Sequence, residues 1–157
     1  MSEVKKAKPT IEEIATSLLY GDKLENFLDF NRFLKNNKVS KSATAPTAWA
    51  VRYKGKMIGS FRAFNDSWML SYFKNEELFS KIDEYVTGEL KEFVLANINT
   101  APGCKNCGGA ENKVILRQMF DRVCRCHLVL LWNPEGKALE YAKELVLVNK
   151  SIVDDIL

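Results

Sequence analysis

Residues 48–73 read AWAVRYKGKMIGSFRAFNDSWMLSYF, and this stretch decides the fold. Apolar side chains alternate along it in three short runs, and alternation with period two is typical of a β-strand with one buried face. Lys54 with Gly55, and Asn65 with Asp66, separate the runs and are typical of tight hairpin turns. The stretch therefore predicts three consecutive antiparallel strands, which form a meander.

Helical periodicity precedes the meander. Thr10 with Glu13 forms a capping-box pattern, which predicts a first helix over about residues 10–20. A second amphipathic helix follows over residues 22–34. Residues 40–47 are rich in serine and threonine and include Pro46, so we expect a connector there. This connector is the best candidate for an internal boundary.

After the meander, the periodicity predicts one long helix over residues 75–97 that covers the sheet. Two further strands are expected at residues 114–119 and 128–132, and a last helix begins after Gly136. Helix, helix, three strands, helix, two strands and helix is an order typical of the α+β class. We predict a mainly antiparallel sheet of about five strands with helices packed on one face.

The composition predicts one domain of ordinary size. The chain has 157 residues, of which 46% are hydrophobic, and its formal net charge of +3 disfavours a nucleic-acid-coating protein. Residues 1–8 contain three lysines that repel one another, so we expect a disordered basic leader followed by a single domain over residues 9–157. No apolar run reaches the roughly 20 residues of a membrane span, and no secretory signal is recognisable, so we predict a cytoplasmic protein without a membrane partner.

The sharpest chemical signal is a cysteine cluster within the expected loop region 98–127. The spacing is C-x2-C, sixteen residues, then C-x-C followed at once by the single histidine, His127. Zinc takes four thiolate or imidazole ligands in a tetrahedron, and paired knuckles have similar spacings. We predict one structural zinc ion held by four thiolates: Cys104, Cys107, Cys124 and Cys126.

The second half of the cluster leaves the fourth ligand open. If residues 124–127 are a strand, Cys124 and Cys126 share a face and His127 points away. If they turn, Cys124 and His127 have C-x2-H spacing, and Cys126 belongs to the core. Two other interpretations remain: buried structural thiols, or a Cys104–Cys107 redox pair in a cysteine-based redox protein.

Several motifs carry a resemblance to a known family. They are CKNCGG at 104–109, VILRQMF at 114–120, VCRC at 123–126, WNPE at 132–135, YKGK at 53–56 and SWMLS at 67–71. Over about residues 24–148 the chain resembles a family of uncharacterised cytosolic proteins of Firmicutes. The resemblance implies a short sheet, a covering helix, a cysteine cluster and a C-terminal helix after an Asn-Pro turn, without an established activity.

The sequence offers little for catalysis. It has one histidine and lacks the G-x-S-x-G, H-E-x-x-H and glycine-rich phosphate-loop motifs. We therefore predict a non-enzymatic module that binds a small apolar or cationic molecule, or a protein, and a homodimer is one partner arrangement that we expect. The meander is rich in aromatic residues, and the expected ligand-binding residues are Trp49, Trp68, Tyr53 and Tyr72.

A nucleic-acid-binding accessory role stabilised by zinc is the alternative. Five basic side chains lie around the cysteines, and they could meet phosphate: Lys105, Lys113, Arg117, Arg122 and Arg125. The sequence lacks the aromatic RNA-binding motif and the finger helix that read bases, so we regard nucleic acid as the weaker interpretation.

Overall fold

The computed structural model describes residues 8–100, 111–124 and 127–157. In chain order these residues form α1 (Ile11–Leu18), α2 (Gly21–Asn36), β1 (Ser40–Ala45), β2 (Ala48–Tyr53), β3 (Lys56–Phe64), β4 (Ser67–Tyr72), α3 (Glu76–Phe79), a 3-10 helix (Ile82–Glu84), α4 (Gly88–Ala96), β5 (Glu111–Ile115), β6 (Gln118–Val123), β7 (Val129–Trp132) and α5 (Lys137–Ile156). The predicted α+β class is confirmed. Most of the predicted leader lies outside the described residues.

The main sheet has five antiparallel strands in the order β1-β2-β3-β4-β7, and β5 pairs with β6 in a separate hairpin. Strands β2 to β4 are the meander that alternation predicted. The first turn has positive φ angles at Lys54 (48°) and Gly55 (82°), and the second has one at Asp66 (56°). These angles match the right-handed twist of paired strands, so the turns fix the register of the meander.

The core lies between one face of the sheet and the helices. The Phe27 ring of α2 contacts Trp49, Phe61 and Trp68 with centroid distances of 6.1, 5.5 and 5.3 Å. The Tyr72 hydroxyl donates a hydrogen bond to the Ala142 carbonyl of α5. Each aromatic contact adds about 0.5–1.5 kcal/mol to the burial of the rings. The aromatic residues of the meander therefore attach the sheet to its helices.

The predicted connector over residues 40–47 is wrong, because residues 40–45 form strand β1. They pair with β2 from Ser40 opposite Arg52 to Ala45 opposite Ala48. Most of the strand is exposed, so it lacks the apolar alternation by which a strand is recognised. Hydrogen bonds to β2, and not burial, define β1. This strand forms one edge of the five-stranded sheet.

Two predictions after the meander are also wrong. Residues 75–97 form α3, the 3-10 helix and α4 in place of one long helix, and Gly88 has a φ of 59° where α4 begins. Residues 114–119 contain the end of β5, a two-residue turn and the start of β6 in place of one strand. Leu116 and Arg117 in that turn have φ angles of 50° and 68°, a backbone that glycine or asparagine usually signals. Neither residue type is present there.

One hydrophobic cluster extends from Ala15 in α1 to Val153 in α5 and includes buried residues of every main-sheet strand except β1. In the described part of the chain, we find no helix with both the length and the apolar character to cross a bilayer.

Candidate ligand-binding site

The face of the sheet opposite the core carries small and polar side chains together with a few large apolar ones. Residues paired directly across antiparallel strands point to the same face. One cross-strand row runs through Ser42, Ala50, Ser60, Ser71 and Leu130, and the next runs through Ala48, Arg62, Met69 and Trp132. Arg62 and Trp132 are exposed. We call the face that carries these two rows the open face.

A cleft of about 220 Å³ lies on the open face. Its lining includes three basic residues, Arg62, Lys74 and His127, and two apolar ones, Met57 and Met69. Aspartate and glutamate do not occur among the described residues that line it. The cleft is therefore positively charged at neutral pH.

The two cations reach the cleft from different elements. Arg62 lies near the C-terminal end of β3, and Lys74 follows Phe73, whose φ of 65° turns the chain away from the end of β4. The Arg62 guanidinium carbon lies 4.9 Å from the centre of the Phe64 ring. Neither Arg62 nor Lys74 forms an ion pair within the described residues. Both charges are thus available to a ligand.

His127 connects the cleft to the sheet. Its Nδ1 lies 3.0 Å from the hydroxyl oxygen of Ser71. Partial burial lowers the pKa of His127, and the positive charge of Lys74 lowers it further. The sequence offered no partner for this histidine, because Ser71 lies 56 positions away. Pairing of β4 with β7 brings the two residues together.

A serine beside a histidine is also the arrangement of a nucleophile and its base. Ser71, however, is only 2% exposed and does not line the cleft. Within the described residues, His127 also has no carboxylate partner that would orient its ring. The contact between Ser71 and His127 therefore supports a structural role.

Three of the four predicted ligand-binding residues lie on the core side of the sheet. Trp68, Tyr72 and Trp49 are 0%, 2% and 5% exposed. The expected exposed aromatic face does not hold for them, because α2 and α5 cover that side of the meander. Burial also raises the pKa of Tyr72. Trp49 still borders the cleft, so its ligand contact stays a prediction.

Tyr53, the fourth predicted residue, attaches the β2–β3 hairpin to α5. Its hydroxyl donates to Asp154 Oδ1 at 3.0 Å. The ammonium groups of Lys54 and Lys150 lie 5.3 and 5.0 Å from the centre of its ring. Tyr53 does not line the cleft. Its described contacts are those of a surface ion cluster.

Of the predicted zinc ligands, the structure describes only Cys124 and the alternative His127. Cys124 is 2% exposed, and its N–H donates to the Asn99 carbonyl at 2.9 Å. Cys104, Cys107 and Cys126 lie outside the described residues. In residues 8–100, 111–124 and 127–157, we find no group of three or more side chains that could hold a metal ion.

Backbone pairing nevertheless joins the segment that precedes Cys104 in sequence to the residue before Cys124. Thr100 pairs with Val123, one residue before Cys124. Cys104 follows Thr100 by four residues, which span at most about 14 Å. A zinc site that includes Cys104 and Cys124 is within reach of the chain, and both the zinc and the redox interpretation stay predictions.

The basic residues of the nucleic-acid alternative are only partly described. Lys113 forms an ion pair with Glu76 at 3.2 Å, and its ammonium lies 4.3 Å from the centre of the Phe79 ring. Arg117 and Arg122 are exposed in the β5–β6 hairpin. Because Lys113 already has an anionic partner, the hairpin offers less free positive charge than the sequence suggests.

The sequence matches no family model, and no curated protein or solved structure matches it. The resemblance to the Firmicutes family therefore stays a prediction, and the functional argument depends on the geometry of the cleft.

Proposed function

We propose that this protein is a non-enzymatic module that binds a small anionic molecule in the cleft on the open face. The proposal depends on one observation: Arg62 and Lys74 line the same cleft, and neither has a carboxylate partner among the described residues.

The charges favour an anion over the cationic ligand expected from the aromatic residues. A cationic ligand would be repelled by both side chains, whereas a phosphate or carboxylate gains charge-assisted hydrogen bonds. Arginine presents a planar fork to such oxygens, and lysine adds a mobile point charge. Arg62 and Lys74 together therefore suit a group with two or more oxygens.

The remaining walls favour a ligand that also has an apolar part. Met57 and Met69 border the cleft, and methionine adapts its flexible thioether to varied shapes. The hydroxyl of Ser60 adds a polar contact. Since sites for drug-sized ligands have volumes of about 300–1,000 Å³, the 220 Å³ cleft fits a small molecule or one end of a larger one.

Binding without chemistry is favoured by what surrounds the cleft. The hydroxyl group nearest His127 belongs to Ser71, and its burial keeps it from a bound molecule. A general base acts only within hydrogen-bond reach of the proton it removes. We also retain a structural zinc ion at the cysteine cluster in this proposal, supported by the cysteine spacing and by the pairing of Thr100 with Val123.

The test is titration of the ¹⁵N-labelled full chain with inorganic phosphate, followed by NMR. We expect the largest amide shifts at Ser60, Arg62 and Met69. The double variant Arg62→Gln with Lys74→Gln should lose these shifts. A matched control, Arg32→Gln with Lys137→Gln, removes two exposed cations from α2 and α5 and should retain them.

Two outcomes contradict the proposal. One is the absence of phosphate-dependent shifts around the cleft in the unsubstituted protein. The other is an equal loss of binding in both double variants, which would assign the effect to net charge and not to the cleft.

A further inference from the structure

A pair of aromatic rings lies on the open face. Trp132 in β7 is 53% exposed, and its ring centroid lies 5.4 Å from that of Phe64 with an interplanar angle of 34°. We call Phe64 and Trp132 the aromatic shelf. The Arg62 guanidinium lies over the Phe64 ring at 4.9 Å, so the shelf is continuous with a cation of the cleft.

Strand register places the shelf directly beside the cleft. Trp132 pairs with Met69, and Met69 pairs with Arg62. Met69 and Arg62 both line the cleft. Adjacent strands lie about 4.8 Å apart, so the backbones of Trp132 and Arg62 are separated by about 10 Å. A single small molecule can therefore contact both.

We propose that the shelf and the cleft bind one nucleotide-like ligand. Its planar heteroaromatic ring stacks on Trp132, and its anionic group is held by Arg62 and Lys74. This inference rests on the proposed function, because the anionic group uses the same cleft, and it adds the identity of the ligand's other end.

The chemistry of the two parts is complementary to a nucleotide. An indole exposed over half its surface gains burial when a flat ring covers it, and base–aromatic stacking is a common source of affinity. A nucleoside 5′-monophosphate joins such a ring to a dianion through a short linker. Arg62 and Lys74, which have no ion-pair partner among the described residues, provide charge complementarity for that dianion at the other end.

A single nucleotide fits better than a polynucleotide. Single-stranded nucleic acids are bound by a succession of stacking rings along a positively charged groove. On the open face, as far as the chain is described, the rows hold one aromatic shelf beside one cleft, and the neighbouring row contains no aromatic residue, only small residues such as Ala50 and Ser60 and one leucine, Leu130. A ligand with one ring and one anionic group therefore matches the one aromatic shelf and the one cleft.

The experiment is calorimetric titration of the full chain with the four nucleoside 5′-monophosphates, the matching nucleosides and inorganic phosphate. We expect at least one monophosphate to bind about ten-fold or more tightly than either its nucleoside or phosphate alone. Tryptophan fluorescence should change during the same titration. Trp132→Ala should abolish this change, which distinguishes Trp132 from the buried Trp49 that borders the cleft.

Variants distinguish the contribution of ring stacking to affinity from that of the anionic group. Trp132→Ala should weaken the monophosphate about ten-fold while leaving phosphate binding unchanged, and Trp132→Phe should restore most of the affinity. Arg62→Gln should weaken both ligands. Met119→Ala is the control, because Met119 is an apolar side chain, 64% exposed, in β6. A thermal melt of each variant checks that it is folded.

The outcomes that overturn the inference differ from those that overturn the proposed function. If phosphate binds through Arg62 and no monophosphate binds more tightly, the nucleotide-like ligand is wrong and the anion cleft stands. If Trp132→Ala weakens phosphate and monophosphate equally, stacking is likewise wrong. Tighter binding of a single-stranded oligonucleotide than of every monophosphate would replace the small molecule with nucleic acid. If no anion binds at all, both proposals fail.

Discussion

Gly59 is the position in β3 where a side chain has least room. A Cβ atom there would lie 3.1 Å from the Ser71 carbonyl oxygen and 3.3 Å from the Tyr72 ring. The register between β2 and β3 also shifts beside it. The absence of a side chain at Gly59 thus lets the buried Tyr72 ring lie close against the neighbouring strand.

We therefore expect Gly59→Ala to lower the free energy of unfolding by about 1–3 kcal/mol, since the methyl group must displace backbone or a buried ring. Urea denaturation measures the change. Ser60→Ala is the matched control on the opposite face and should change stability by at most about 0.5 kcal/mol. A Gly59→Ala protein as stable as the control would show that β3 and β4 can move apart without cost.

Asp154 gives the surface ion cluster a defined pH dependence. The hydrogen bond from Lys54 lowers the pKa of Asp154 below its ordinary value of 3.8. A carboxyl group whose pKa is lower in the folded state stabilises the fold above its unfolded pKa and loses this effect as the pH falls through its folded pKa. The contribution of Asp154 should thus be complete at neutral pH and disappear below about pH 3.8.

Comparison of the unsubstituted protein with Asp154→Asn checks this prediction. Melting temperatures measured between pH 7 and pH 2.5 should differ slightly at the neutral end and converge at the acidic end. Because the pair is exposed, added salt should also reduce the difference. A difference that is constant over the whole pH range would mean that the Asp154 charge has no part in it.

At the scale of secondary-structure elements, Tyr72 connects the sheet to α5. Its hydroxyl bonds to the Ala142 carbonyl, and its ring lies in the core. Tyr72→Phe should lower the free energy of unfolding by about 1 kcal/mol through loss of this bond, without changing anion binding at the cleft. Tyr20→Phe, at a tyrosine that is 62% exposed, is the control.

Urea denaturation and the phosphate titration together give both readouts. A Tyr72→Phe protein of unchanged stability that binds phosphate less well would support the original assignment of Tyr72 as a ligand-binding residue. It would contradict the packing role that the structure gives this side chain.

Elements with a strong local pattern could be predicted from the sequence. Alternation and turn residues located the meander, and capping with periodicity located α1 and α2. Strand β1 could not be predicted, because its exposed residues form a strand only by pairing with β2. The turn at Leu116 and Arg117 was missed because both residues adopt a backbone that their side chains disfavour.

The candidate site could not be predicted from the sequence, for a different reason. Alternation shows that the meander has two faces, but it does not show which face the helices cover. The bulky aromatic residues of the meander point to the core. Arg62 and Met69, which alternate with them along β3 and β4, point to the open face. Trp132 joins that face only because β7 pairs with β4, where Trp132 lies opposite Met69, a residue 63 positions earlier in the chain.

At the scale of the whole molecule, the sheet is asymmetric: the core lies on one side and the cleft on the other. A homodimer remains a prediction, and the exposed Trp132 is the apolar residue on the open face that such a contact would bury. Sedimentation velocity at several protein concentrations measures it. If dimerisation uses the open face, Trp132→Ala should reduce it and ligand binding should compete with it.

The predicted zinc ion would act on the whole molecule, since its ligands connect the segment after α4 to the junction of β6 and β7. Metal binding that is coupled to folding contributes to stability. Protein purified without chelator or metal-affinity tag should contain about one zinc per chain, and removal of the metal by a chelator should lower the melting temperature. Cys124→Ser should lower both the zinc content and the stability of the metal-bound protein.

The Cys124→Ser variant alone does not distinguish loss of zinc from loss of core packing. A thiol that is only 2% exposed also contributes as a small apolar group, so Cys124→Ser alone would destabilise the core with or without zinc. Cys107→Ser provides the second measurement, because it tests the other half of the cluster. If the purified protein contains no zinc and the chelator leaves its melting temperature unchanged, the cysteines are structural thiols. Destabilisation by Cys124→Ser then follows from core packing alone.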